Sequence, residues 1–228
     1  STRTTGVVFH VTKNVSVYAN ESNNVALPSL NQFTLPEDPV PSPQGKTQDV
    51  GVMVNLFDNR PTPRVTYYET AVVDTSTSHG TGNVQDRINN ISAYMLADGK
   101  ITQAEYDNNI VRANAYNFDN TSQGWEGEIV ANLTPEWRLM LNASTNKTGI
   151  TSVGTAVRNY IAERHAVWAA AAPSNEDLAE QLQLLDDWVQ VNLVDRDGGK
   201  TPLTPDWTIN LRTNYSFRSG VLKGFDAG

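Results

Sequence analysis

Few residues in this chain are spaced for chemistry, and each such group has a structural explanation beside the chemical one. Glu126 and Glu128 put two carboxylates on one face of the strand-like segment WEGEIVAN. A glycosidase pair must flank its bond from two sides. Two residues apart on one strand, these side chains run parallel and read as part of a polar wall. Asp98-Gly99-Lys100-Ile101 with Glu105 mimics the second half of an EF-hand loop, but the first ligand positions fall on Tyr94 and Leu96, which cannot bind calcium. Thr102 followed by Glu105 is a helix capping box, which accounts for the same residues. Asp195-Arg196-Asp197-Gly198-Gly199 reads as a solvated turn, with a weak calcium site as the alternative. His10, His79 and His165 show no metal-ligand spacing. No nucleophile elbow, phosphate loop or dinucleotide fingerprint occurs. The expectation is a non-enzyme with no catalytic residue, cofactor or metal.

The elements that carry these residues are strands. In TSQGWEGEIVANLTPEWRLMLNASTNK, Trp125, Gly127, Ile129, Ala131 and Leu133 fall on one face, and Glu126, Glu128 and Asn132 on the other. After Thr134-Pro135-Glu136 the alternation restarts, with Trp137, Leu139, Leu141 and Ala143 opposed to Arg138, Asn142, Ser144 and Asn146. This is a hairpin with one apolar and one hydrogen-bonding face. A soluble sheet would place the apolar face on a core. A transmembrane barrel would place it in lipid and the polar face in a wet lumen.

In chain order, GVVFHV and VSVYANES form a first hairpin around Thr12-Lys13-Asn14. A proline-rich loop follows, then a strand over about 47–58, a turn at Asp58-Asn59-Arg60-Pro61, and a return over 64–74. Asn83 is expected to cap a helix that Gly99 stops, and Thr102 a second one with Ile101 stapled on Tyr106. Two more helices are expected, over about 155–171 and from Ser174 to about Leu193. Their stripes, Val157, Ile161 and Trp168, and Leu178, Leu182, Leu185 and Val189, are expected to pack on each other. From Trp207 to Phe217 the alternation is cleanest, and Val221 to Phe225 opens a last strand. The chain holds about eight strands and long loops at about 23–46, 75–120 and 148–203.

Composition narrows the class. A net charge of −8 argues against nucleic acid as partner. With no cysteine, disulfides and thiolate metal sites are excluded. The longest apolar run, around 166–172, is far short of the ~20 residues of a membrane helix, though barrel strands need no such run. The chain starts directly before one strand pattern and stops just after another, as expected of a piece of a longer protein.

Layout separates the two environments. Turns near 13, 60, 135 and 219 are short, while the connections between them are long. Sandwiches place turns every ~8–12 residues at both ends, whereas outer-membrane barrels alternate short turns with long loops. Ten residues separate Trp207 from Phe217, and at a tilt of ~40° they climb ~25 Å, the height of a barrel's apolar band. Phe57, Trp137 and Phe217 lie toward the short turns, and Trp125 and Trp207 toward the long loops, as two aromatic girdles would. Glu126, Glu128, Arg138, Asn210, Arg212 and Asn214 are then the lumen-facing candidates.

GVVFHVTKNVSVYANES, GKTQDVGVMVNLFDNRPTPRVTYYET, the 121–147 hairpin and PDWTINLRTNYSF resemble successive barrel hairpins of TonB-dependent outer-membrane receptors, the siderophore-receptor branch above all. The resemblance covers nearly all the strands and none of the long loops. It implies an all-β fold with helical loop insertions, an antiparallel up-and-down transmembrane barrel segment spanning residues 1–228. It also implies residence in a Gram-negative outer membrane, contact with its lipid, and a small-molecule ligand such as a ferric siderophore in the full-length protein. The plug, the TonB-engaging segment and the terminal aromatic strand of that family have no counterpart in these residues. The expectation is therefore a middle-to-late barrel section that transports nothing by itself and that aggregates when isolated. The alternative is a soluble adhesin or carbohydrate-binding β-domain with helical insertions.

Overall fold

The computed structural model describes residues 2–35, 38–56, 61–78 and 80–228. Nine strands form one antiparallel sheet: β1 (Arg3–His10), β2 (Val15–Val25), β3 (Gln44–Val54), β4 (Thr62–Thr77), β5 (Tyr116–Asn132), β6 (Trp137–Thr145), β7 (Lys147–Thr151), β8 (Trp207–Ser216) and β9 (Asp226–Ala227). Their order is up-and-down from β1 to β9, and the sheet does not close on itself. Expected turns form where polar side chains replace ladder bonds. Thr12 Oγ1 accepts from the amides of Asn14 and Val15, and Thr134 Oγ1 from those of Glu136 and Trp137. The turn expected at Asp58-Asn59-Arg60 lies outside the described residues, as does Phe57; the flanking Leu56 N–H bonds the Pro61 carbonyl at 3.1 Å.

The strands outrun the sequence pattern. Both β6 and β7 pair with β5, Glu126 lying opposite Ser144 and Gln123 opposite Lys147, so they are one strand interrupted at Asn146. That interruption gives nine strands where about eight were expected, and it puts strand inside the expected loop at 148–203. β2 reaches Val25, β3 starts at Gln44, β4 reaches Thr77 and β5 starts at Tyr116, so the other two expected loops also begin or end as ladder. The extensions of β2, β3 and β4 are polar on both faces, so hydropathy does not alternate although backbone pairing continues; at the start of β5, Tyr116 and Phe118 share a face and pack on the loop core. At the end of the chain, 221–224 turns instead of opening a strand, and the pairing partner of β8 is Asp226–Ala227.

Four helices fill two of the loops: α1 (Thr81–Ala97) and α2 (Gln103–Asn109) between β4 and β5, α3 (Thr155–Ala171) and α4 (Glu176–Val189) between β7 and β8. Two caps differ from expectation. Asn83 lies inside α1, which starts at Thr81 behind Gly80 with no side-chain cap; the Thr81 hydroxyl donates to the Ser78 carbonyl at 2.8 Å. Ser174 donates to the Ala171 carbonyl, and Asn175 caps α4 by accepting from the Leu178 amide at 3.1 Å. α4 then passes into a π-helical turn at Gln190–Val194, which ends it short of Leu193. Gly99, at φ 63°, stops α1 as expected, because that left-handed conformation strains any residue with a Cβ. The capping box forms, with the Thr102 amide donating to Glu105 Oε2 at 2.7 Å and the Glu105 amide donating to Thr102 Oγ1 at 3.2 Å.

The core lies at one end of the molecule. Val84, Ile88, Ile91 and Met95 of α1 pack with Val157, Ile161 and Trp168 of α3 and Leu178, Leu182 and Leu185 of α4. The sheet contributes Tyr116 and Ile150, both at the loop ends of their strands. The expected helix stripes thus do pack on each other. They join two loops that are separate in sequence, and Asn175 Nδ2 ties α4 to Asp98 at 3.0 Å.

Two outcomes test this loop core. Leu185, fully buried, should cost about 2–5 kcal/mol on Leu185→Ala. Hydrogen exchange should quicken across α1, α3 and α4 while β2–β5 stay protected; uniform quickening would mean the loops are not a separate packing unit. The backbone N–H of Thr102, and then its hydroxyl, hold the Glu105 carboxyl below its ordinary pKa. A depressed folded pKa stabilises α2 above the ordinary glutamate range and loses that stabilisation as pH falls through the folded value. Amide exchange in α2 should therefore rise on acidification, and Glu105→Gln should flatten that dependence.

Candidate functional site

Antiparallel register places every second residue of neighbouring strands in one row on one face. One row runs His10, Ser16, Met53, Arg64, Glu128, Asn142, Asn210 from β1 to β8. The next row toward the loops runs Val8, Tyr18, Gly51, Thr66, Glu126, Ser144, Thr208. All six polar-face candidates share this face, but not one place on it. Glu126, Glu128 and Asn210 meet around a depression of about 200 Å³ completed by Arg64, Thr66, Asn142, Ser144 and Thr208. Arg212 lies one row nearer the turns, opposite Met140, and Arg138 pairs with Asn214 and Asn132 in the row beyond.

The face is knitted by side chains. Arg64 Nη2 donates to Glu128 Oε2 at 2.6 Å, and the Tyr18 and Thr66 hydroxyls bond each other across β3. His10 Nδ1 bonds Ser16 Oγ at 2.8 Å, and Asn20 donates to Asp49 at 3.1 Å. Arg64 neutralises Glu128 and leaves Glu126 among hydroxyls and amides. The depression therefore offers one paired charge, one net negative charge and several hydrogen-bonding groups. That surface is polar and offers both hydrogen-bond donors and acceptors. Arg64 and Thr66 were missed because RVTYYETAVVD carries Val and Tyr on both faces and Glu69 among the apolar ones. Their positions, two apart, were the available signal.

The opposite face is apolar and uncovered. Phe9, Val17, Val52, Val65, Gly127, Ala143 and Ile209 form one row, and Val7, Ala19, Val50, Tyr67 and Trp125 the next. Phe9 is 67% exposed, Val65 49% and Leu211 66%; no protein packs on them. Toward the loops this band ends at Trp125 and Trp207, where Tyr67 lies with its ring 5.2 Å from Trp125. Toward the turns it ends at Trp137, opposite Tyr215, whose ring is 5.0 Å from Phe217. Four of the five expected girdle residues thus sit at the two edges, joined by Tyr67 and Tyr215. Beyond the loop-side edge the same face turns polar, through Glu21, Gln48, Glu69 and Lys46, with Lys46 Nζ 3.2 Å from Glu21.

The remaining candidates are committed elsewhere. Glu105 belongs to the capping box, Asp195 accepts from Gln190 at 2.6 Å, and Asp197 pairs with Arg158 at 2.9 Å. His165 bonds Asp186 across α3 and α4 at 3.0 Å, and His79 lies outside the described residues.

No family model matches this chain, and no curated protein does. Its fold is found in solved outer-membrane receptors. The ferripyoverdine receptor of the outer membrane of Pseudomonas aeruginosa superposes with a TM-score of 0.56 at 14% identity, over 96% of this chain and 20% of that one. The alcaligin receptor FauA of Bordetella pertussis gives 0.52 at 12% identity, over 97% and 27%. The complex of FpvAI with pyocin S2 gives 0.56 at 14%, over 96% and 21%. The fold is that of part of the β-barrel of these structures. The chain spans about a fifth to a quarter of these receptors.

Gly51 tests the knitting of the polar face. A Cβ there would lie 2.5 Å from the Tyr18 ring. Gly51→Ala should displace Tyr18, break its bond to Thr66 and cost about 1–3 kcal/mol in denaturant titration. An unchanged midpoint would mean the ring does not need that path across β3.

Proposed function

We propose that this chain is a section of the wall and outer loops of an outer-membrane receptor that takes up a scarce small molecule, a metal–siderophore complex being the leading class. The observation that carries the reading is the contrast between the two faces of one sheet. A water-soluble sheet would leave Phe9, Val52, Val65, Ile209 and Leu211 in water, at ~25 cal/mol for each Å² that burial would have gained. Lipid removes that penalty, and the polar face then lines a wet interior. The helical loops, gathered at one end, suit the outer side, where ligands and partners arrive. Of the solved receptors with this fold, one is bound to ferripyoverdine and one is in complex with pyocin S2, which supports a receptor role here at the level of class. On this reading Glu126, Glu128, Arg138, Asn210, Arg212 and Asn214 face the lumen. Residues 1–228 are then barrel wall with outer loops, and energy reaches the full-length protein through segments beyond this chain. The protein belongs to the outer membrane of a Gram-negative cell and is a transporter and not an enzyme.

This chain holds no cysteine, so single cysteines introduced into it can map both faces in the full-length protein in membranes, any cysteine elsewhere in that protein being replaced first. Asn210→Cys and Arg212→Cys should react with a water-borne maleimide, while Ile209→Cys and Leu211→Cys should react only after detergent solubilisation. Equal labelling of all four before solubilisation would remove the membrane reading.

A further inference from the structure

The apolar face of β1–β4 carries a depression of about 630 Å³ that the function proposed above does not use. Successive rows of paired residues build it. Val7, Ala19, Val50 and Tyr67 form the last apolar row before the loops. Thr5, Glu21, Gln48 and Glu69 form the next, and Arg3 and Asn23 the third, with Lys46 beside them. Ala19 lies between Val7 and Val50, and its short side chain leaves the hollow that the longer ones enclose. One half of the depression is therefore hydrocarbon and the other half polar.

The polar half is electrically balanced. Gln48 Nε2 donates to Glu21 Oε2 at 2.6 Å, Lys46 Nζ lies 3.2 Å from the same oxygen, and Arg3 Nε donates to Thr5 Oγ1 at 3.3 Å. Two carboxylates, Glu21 and Glu69, balance two cations, Arg3 and Lys46, so this rim has no net charge with which to hold an anion. Asp49 belongs to the other face, where it accepts from Asn20 at 3.1 Å. Among the described residues nothing bonds the Glu69 carboxylate. An ionised carboxylate only accepts, whereas amide and guanidinium groups donate. Hydroxyl groups suit that set, because each can donate to Glu21 or Glu69 and accept from Asn23 or Arg3. A phosphate would meet both carboxylates as like charges.

Depth points the same way. Tyr67 and Trp125, their rings 5.2 Å apart, sit where amphipathic rings lie in a bilayer, between acyl chains and head groups. Successive rows on one face are ~7 Å apart along a strand, so the polar rows fall at head-group level.

We infer that this depression holds a sugar-headed lipid of the outer leaflet, its uncharged hydroxyls on Glu21, Gln48 and Glu69 and an acyl chain over Val7, Ala19 and Val50. The inference rests on the membrane reading above and adds a head-group preference to it.

The test is native mass spectrometry of the full-length protein released from nanodiscs. These hold, in equal parts, dioleoyl lipids with diglucosyl, phosphoglycerol and phosphocholine head groups. The diglucosyl lipid should be retained about tenfold more than either phospholipid, the share of one hydrogen bond to a charged group. Glu69→Ala should cut that preference severalfold and Glu69→Gln should restore part of it. Ala19→Trp, at an exposed position, should abolish it by filling the hollow. Circular dichroism of each variant reports whether the strands persist. Preference for phosphoglycerol, equal retention of all three, or a diglucosyl preference unmoved by Glu69→Ala and Ala19→Trp in folded variants would overturn the assignment. The cysteine labelling of Ile209 and Leu211 on β8 tells the two failures apart: if both stay protected until solubilisation, the membrane reading stands and only this site falls.

Discussion

A sheet satisfies its backbone hydrogen bonds sideways, through its neighbours, and leaves both faces free to meet different surroundings. Every regular feature of the strand region follows from that freedom. Register brings Phe9, Val17, Val52 and Val65 into one row and His10, Ser16, Met53 and Arg64 into the adjacent one on the opposite face. The apolar rows gain nothing from other protein, since the helices pack elsewhere. The polar rows bond among themselves, strand to strand, through Arg64–Glu128 and Tyr18–Thr66. Such exposed pairs are worth little individually, about 0–1 kcal/mol each for an ion pair. Their effect is to fix side chains in a lattice that is mainly polar, with Met53 and Met140 among its few apolar members.

The loops obey a different rule. A connection of several dozen residues would leave much backbone unsatisfied unless it built its own secondary structure and buried it. Here two loops share that burial. α1 and α4 pack together, Leu178 and Leu185 are fully buried, and the sheet supplies only the ends of β5 and β7. The result is two regions with separate sources of stability, a laterally bonded sheet and a helical cap with a conventional core. α2, short and without a buried residue, lies at the margin of that cap.

The low identity to solved receptors is physically intelligible. A barrel wall asks of each position only that it be apolar or polar by turn, with aromatics at the edges. Many sequences meet that demand, so a likeness in fold at 12–14% identity carries architecture without ligand. Ligand chemistry belongs to loops and wall depressions, which are free to differ.

Period-two alternation alone determined the strands over 125–133, 137–143 and 207–217, the two faces they present, and the short turns at Thr12 and Thr134. The capping box at Thr102 and the stripes of α3 and α4 were equally local, since each depends on spacings of three or four residues. Which residues of the polar face meet was decided by the tertiary structure. Arg64 reaches Glu128 across 64 positions of sequence, and only the register of β4 on β5 brings them together. The strand extension at Thr75–Thr77 was illegible because both faces are polar there, so pairing leaves no trace in hydropathy, and at Tyr116–Asn120 the apolar face of Tyr116 and Phe118 has meaning only once the loop core it packs on is assembled.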